Sequence, residues 1–136
     1  MNTQERDKLY AEIVELEKEQ KWDAIADLCV RMSDLDLPDL EKCIALANAG
    51  TAHGHLKEID KALTYFDKAI KLESRHKRFT ALERKAGFLT EHNRLSESLA
   101  IYQELLGRED LYLTDVHRFS HNIQALENLI KSKSAE

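Results

Sequence analysis

IDKALTYFDKAIKLE, residues 59 to 73, decides how the rest of the chain is read. Ala62, Phe66, Ala69 and Ile70 fall at i, i+4, i+7 and i+8, which is one stripe of a helix. Lys61, Asp67, Lys68 and Lys71 stay mostly on the other side. The stripe alternates small and large: two alanines admit a neighbouring helix, and Phe66 fills the space between them. Just upstream, CIALANAGTAHGH (43 to 55) reads as a second amphipathic helix, with Leu46, Ala49, Gly50 and His53 on one face. A short turn from Leu56 to Ile59 joins the two.

The same periodicity extends in both directions. Helix one starts at Asn2 or Thr3 and runs to about Glu19, with Leu9, Ile13 and Leu16 inward and Tyr10 and Val14 beside them. KWDAIADLCVRM follows, with Ile25, Leu28, Cys29 and Met32 as its stripe; Ala24 and Leu28 take the places of Ala62 and Phe66, 38 residues earlier. Pro38 fits the first turn of helix three. Helix five covers about 77 to 92 with Phe79, Leu82, Ala86 and Leu89 inward. In LSESLAIYQELLG, Ser98, Tyr102 and Leu105 repeat Ala62, Phe66 and Ala69 after 36 residues, and Gly107 reads as a stop with positive φ. A seventh helix starts at Thr114 or Asp115 and continues to about Lys131, with Val116, Phe119 or Ser120, Ile123, Leu126 and Ile130 inward and SKSAE fraying.

A chain of 136 residues is expected to form one domain, 1 to 136, with a real core. One proline, four glycines and the absence of alternating β-branched runs make it all-α. MNTQERDK contains no apolar leader and no apolar run reaches about 18 residues, so the expectation is a cytoplasmic protein with no membrane span. Cys29 and Cys43 have no metal-binding spacing and read as reduced core thiols. Residues 1 to 41 hold 12 Asp and Glu against 5 Lys and Arg, whereas 75 to 94 hold six Arg and Lys against two Glu. A formal net charge of −5 argues against general nucleic-acid binding.

The pairing of a small residue in one helix with A-x-x-x-F-x-x-A in the next resembles the tetratricopeptide repeat (TPR). The resemblance is clear over 39–74 and degenerate over 3–37 and 77–107, leaving 113–133 as a capping helix. It implies a right-handed superhelical stack of three helix-turn-helix hairpins plus that cap, and a non-catalytic module for protein–protein interaction: adaptor, co-chaperone or assembly factor. The first helices of such hairpins line a concave groove for a partner peptide. Placed on that pattern, Asn48, Thr51 and His55 face the groove from helix three, and Thr80, Arg84 and Glu91 from helix five. Asn48 and Arg84 match two places of a carboxylate clamp known in some relatives, so the implied partner is a protein or peptide that is acidic or presents a carboxylate. The alternative is that Arg84 pairs with Glu83 and Glu91 on the surface.

Other functions have less to stand on. The chain lacks a Gly-rich phosphate loop, GxSxG, HExxH and an acidic calcium loop, so no enzyme, metal or cofactor is expected. His117 and His121 share a helical face, but two ligands are too few for zinc. RNA-binding pentatricopeptide arrays need many repeats and a basic groove. A small acidic chain of three hairpins also resembles secretion chaperones that cradle exported proteins, which is the alternative function. A monomer is expected, or a weak homodimer through helix seven.

The core assignment is open to test. Phe66→Ala removes a large aromatic from between small partners and is expected to cost about 3–5 kcal/mol, out of a total of about 5–15 kcal/mol. Thermal melting within about a degree or two of the parent contradicts a buried helix four.

Overall fold

A computed structural model describes residues 3–134. These form seven α-helices and no strand: α1 (Thr3–Lys18), α2 (Trp22–Ser33), α3 (Asp39–His55), α4 (Ile59–Glu73), α5 (Thr80–Glu91), α6 (Leu95–Leu106) and α7 (Leu113–Ser134), with a 3-10 turn at Ser74–His76. The chain divides into two compact units, Met1–Ala81 and Leu82–Glu136.

One turn recurs at four of the six junctions between helices. The amides of Lys21, Glu58, Arg78 and Arg94 each donate to the carbonyl five residues earlier, on Leu16, His53, Glu73 and Leu89, at 3.1, 2.9, 3.3 and 2.8 Å. The residue before each of these amides has positive φ: Gln20 (55°), Lys57 (63°), Lys77 (55°) and Asn93 (62°). This left-handed closure satisfies carbonyls that a helix end would otherwise leave open. None of the four residues is glycine, although the left-handed conformation costs an L-residue roughly 1–2 kcal/mol. Gly107, expected to supply such a turn, has φ −78° and continues right-handed. Lys77 also explains why α5 begins at Thr80 and not near 77: the left-handed residue breaks the helical path.

The turn fixes the phase of each second helix. Gln20, Lys57 and Asn93 are 37 and 36 residues apart. The next helix then opens with the same bond in each hairpin, from Ile25 to Lys21, Ala62 to Glu58 and Ser98 to Arg94. The residues equivalent to Ala62, Phe66 and Ala69 are therefore Ser98, Tyr102 and Leu105, as expected, but Ile25, Cys29 and Met32 in the first hairpin. Ala24 is only half-buried, and the 38-residue alignment through Ala24 and Leu28 is one residue out of phase. Arg31 consequently does not occupy a core position; Met32 does, at 2% exposure.

In the first unit, α3 packs on both α2 and α4. Gly50 permits the closest approach: a Cβ there would lie 3.0 Å from the Ala62 carbonyl oxygen and 3.0 Å from the Phe66 ring. Leu9, Ile13, Ile25, Cys29 and Met32 share a core cluster with Ala45 and Ala49 of α3. Arg6 of α1 reaches Glu41 of α3 at 2.6 Å, tying the starts of these helices together. The buried Glu73 carboxylate accepts the Ala81 amide with both oxygens, at 2.8 and 3.0 Å, satisfying an open donor in the first turn of α5.

In the second unit, α7 packs on α6. Phe119 and Leu126 are its buried residues, while Val116, Ile123 and Ile130 are half-buried and Ser120 is exposed. Phe119 meets Tyr102 with ring centroids 6.1 Å apart. Arg118 forks onto both oxygens of Glu83 in α5 (2.7 and 3.0 Å) and also reaches Asp115 (2.9 Å). Buried Ser98 donates to the Ala86 carbonyl at 2.7 Å, anchoring α6 to α5.

Two glycine replacements should have opposite signs. Gly50→Ala drives a methyl into backbone and ring and is expected to cost about 1–3 kcal/mol. A Cβ at Gly87 meets nothing within 4 Å, so Gly87→Ala should stabilise the helix by about 0.5–1 kcal/mol. Urea denaturation of both variants checks this, and equal effects would contradict the close approach of α3 and α4.

Candidate functional site

The groove residues named from sequence lie on two helical stripes. On α3, Leu40, Ile44, Asn48, Thr51 and His55 follow one another at spacings of three or four, so they share a face. Leu40, Ile44 and His55 are exposed, and Asn48 and Thr51 half-buried. Thr51 donates to the Ala47 carbonyl at 3.2 Å. The His55 ring stacks on Trp22, with centroids 3.9 Å apart and planes 10° from parallel, closing one end of the stripe. On α5, Thr80 and Glu91 are exposed and Arg84 half-buried, again at common-face spacing. Thr80, Arg84 and Glu91 stand 36 residues after Ile44, Asn48 and His55, the interval set by the recurring turn. Thr80 belongs to the first compact unit, and Arg84 and Glu91 to the second.

The α3 stripe is more apolar than its sequence-named members suggest. Ile44 is 48% exposed, and Val14 on α1 is 50% exposed. Tyr10 and Leu40 add further exposed apolar surface. The Arg6–Glu41 pair and the shared core cluster hold α1 against α3. Tyr10 and Val14 read in sequence as lying beside the inward stripe of helix one, because periodicity finds an apolar face but not its edge.

His117 and His121 are exposed on α7, and no group of three or more His, Cys, Asp or Glu that could hold a metal occurs among the described residues. Cys29 and Cys43 are buried free thiols. Burial, followed by the nearby Glu73 and Asp39 carboxylates, pushes the Cys43 thiol up to about 11. Its Sγ faces the Ala69 carbonyl at 3.6 Å. A protonated thiol held in this way is a packing group and a poor nucleophile. Among the described residues, no helix is long and apolar enough to cross a membrane.

A different cluster escaped the sequence reading. His53 of α3 bonds through Nδ1 to Glu58 at 3.2 Å, and its ring lies parallel to that of Tyr65 at 5.3 Å. Lys68 lies 5.0 Å over the Tyr65 ring. Glu58 also takes Lys61 at 3.2 Å. Hydrogen bonding from His53, then from Lys61, holds the Glu58 carboxyl below its ordinary range. Glu58 therefore stays charged and keeps the imidazole oriented.

Comparison with known protein families, curated proteins and solved structures finds no match to this chain.

The thiol environment makes a kinetic prediction. In the native state at mildly alkaline pH, Cys29 and Cys43 should react with an aromatic disulfide reagent only as fast as the fold opens, and fully on denaturation. Rapid native-state modification of either thiol would contradict their burial.

Proposed function

We propose that the chain is a non-catalytic protein-interaction module of TPR-like helical hairpins that takes a partner segment along the α3 face. The observation that supports this reading is the exposed Ile44 on the same face of α3 as Leu40, Asn48, Thr51 and His55, with further exposed apolar surface at Tyr10 and Val14 of α1, which the Arg6–Glu41 pair ties to α3. Exposed aliphatic side chains grouped next to neutral donors suit a peptide backbone and its apolar side chains better than a metal, phosphate or nucleic acid. Thr80, Arg84 and Glu91 form a stripe of α5 at the positions equivalent to Ile44, Asn48 and His55. The partner is thus a protein segment with apolar anchors, and the module acts as an adaptor or assembly factor.

Affinity capture from the source organism tests this directly. The full chain should retain a partner that Ile44→Asp loses, because the charge is placed in the contact. Leu129→Asp, at an exposed apolar position on α7, should retain it. Both variants should melt within about two degrees of the parent, since surface changes are usually within about 0.5 kcal/mol. Equal retention by Ile44→Asp and the parent would move the partner off α3.

A further inference from the structure

The first unit carries a second feature, on the opposite side of α3's packing. Both α2 and α4 pack on α3, and between them lies an open cleft of about 670 Å³. Its lining includes Arg31 of α2, Lys61, Tyr65 and Lys68 of α4, and His53 of α3, with Asp27 as its carboxylate. Arg31 and Lys68 make no ion pair among the described residues; Lys68 instead lies over Tyr65. Lys61 is already paired with Glu58.

The placement of these cations follows from the repeat. Arg31 and Lys68 are 37 residues apart, the same interval that separates Gln20 from Lys57, so they hold equivalent positions on the second helices of the first two hairpins. Lys61 precedes Lys68 by seven residues, which is two helical turns on the same face and about 10 Å along the axis. Cations therefore flank the cleft from both helices and along its length. They do so in a unit whose first 41 residues hold 12 carboxylates against 5 basic residues.

We propose that this cleft binds an acidic segment of a partner protein. The span selects the ligand class. A single phosphate or a small carboxylic acid cannot reach positions about 10 Å apart, whereas an extended peptide covers that distance in three residues at about 3.3 Å each. Carboxylates three apart on an extended segment of the polyproline II type, in which every third side chain shares a face, or seven apart on a helix, match the Lys61–Lys68 interval. The stacked pair of His53 and Tyr65 supplies a rigid wall, because Glu58 fixes the imidazole and Lys68 covers the phenol ring. Arg31 contributes a planar fork of donors to a carboxylate. This binding is independent of the α3 stripe, so the two faces could receive two segments of one partner or two different partners.

The test uses the full chain and a fluorescein-labelled peptide with glutamate at every third residue, followed by anisotropy at low and physiological ionic strength. The glutamate peptide should bind, weaken with salt, and exceed its glutamine counterpart about tenfold or more. Arg31→Glu combined with Lys68→Glu should lower its affinity at least about tenfold, while Lys71→Glu, on the same helix outside the cleft, should lower it less than about twofold. Ile44→Asp should leave peptide binding intact, which separates this site from the α3 face. All four positions are exposed, and circular dichroism should show every variant folded. Equal losses in Lys71→Glu and the double variant would overturn the proposal in favour of diffuse attraction. Equal binding of the glutamine peptide would overturn it in favour of backbone recognition. Self-association of the unliganded chain that Arg31→Glu with Lys68→Glu abolishes would overturn it in favour of the acidic α1 of a second copy.

Discussion

The hydrogen bond from the Glu58 amide to the His53 carbonyl, with Lys57 left-handed between them, is the constraint on which the first unit depends. A helix turns about 100° per residue, so a slip of one residue at this turn would rotate Phe66 away from Gly50. With the turn in place, the Phe66 ring fits against the bare α-carbon of Gly50, and α3 and α4 approach more closely than a side chain at position 50 would allow without a shift of its neighbours. The same bond recurs at Lys21 and Arg94 and sets the same phase. The packing that results is not identical in each hairpin. Where the second has Gly50 and a large Phe66, the first has a large Ile13 and a small Cys29, and the third Ala86 and Tyr102. Complementary volumes are kept while their owners are exchanged.

That exchange explains what the sequence revealed and what it hid. Helix number and type were legible because the 3.6-residue period is unbroken and breakers are few. The second and third hairpins were in register because Ser98, Tyr102 and Leu105 preserve a small–large order from Ala62 and Phe66. The first was not, because Ile25 and Cys29 reverse that order and Ala24 offers a false match one residue away. A better signal lay in the turns: a left-handed residue, a charged residue and then a large apolar one, in Gln20-Lys21-Trp22, Lys57-Glu58-Ile59 and Asn93-Arg94-Leu95. Glycine drew attention to position 107 instead, where its freedom is not used.

The candidate sites were legible to different degrees for the same reason. Asn48, Thr51 and His55 could be placed on one face by spacing alone. The exposure of Val14 and Ile44 could not, since apolar residues at a helix edge have the same periodicity as buried ones. The 38-residue alignment puts Arg31 at the place of Ala69, whereas the turn puts Met32 there. Only then do Arg31 and Lys68 become equivalent residues on neighbouring second helices, facing one cleft. The first unit thus presents two chemically different faces, one apolar with neutral donors and one cationic with an aromatic wall. Both cysteines are buried, and no metal cluster occurs among the described residues.

The phase of the first hairpin is the point on which these assignments turn, and through-hydrogen-bond scalar couplings measured by NMR report it directly. The account predicts couplings from the amide nitrogens of Lys21, Glu58 and Arg94 to the carbonyl carbons of Leu16, His53 and Leu89, each with a preceding residue whose amide–Hα coupling marks a left-handed φ. Detection at Glu58 and Arg94 with a Lys21 coupling shifted to the carbonyl of another residue would contradict it, returning Ala24 to the core and Arg31 to a different face.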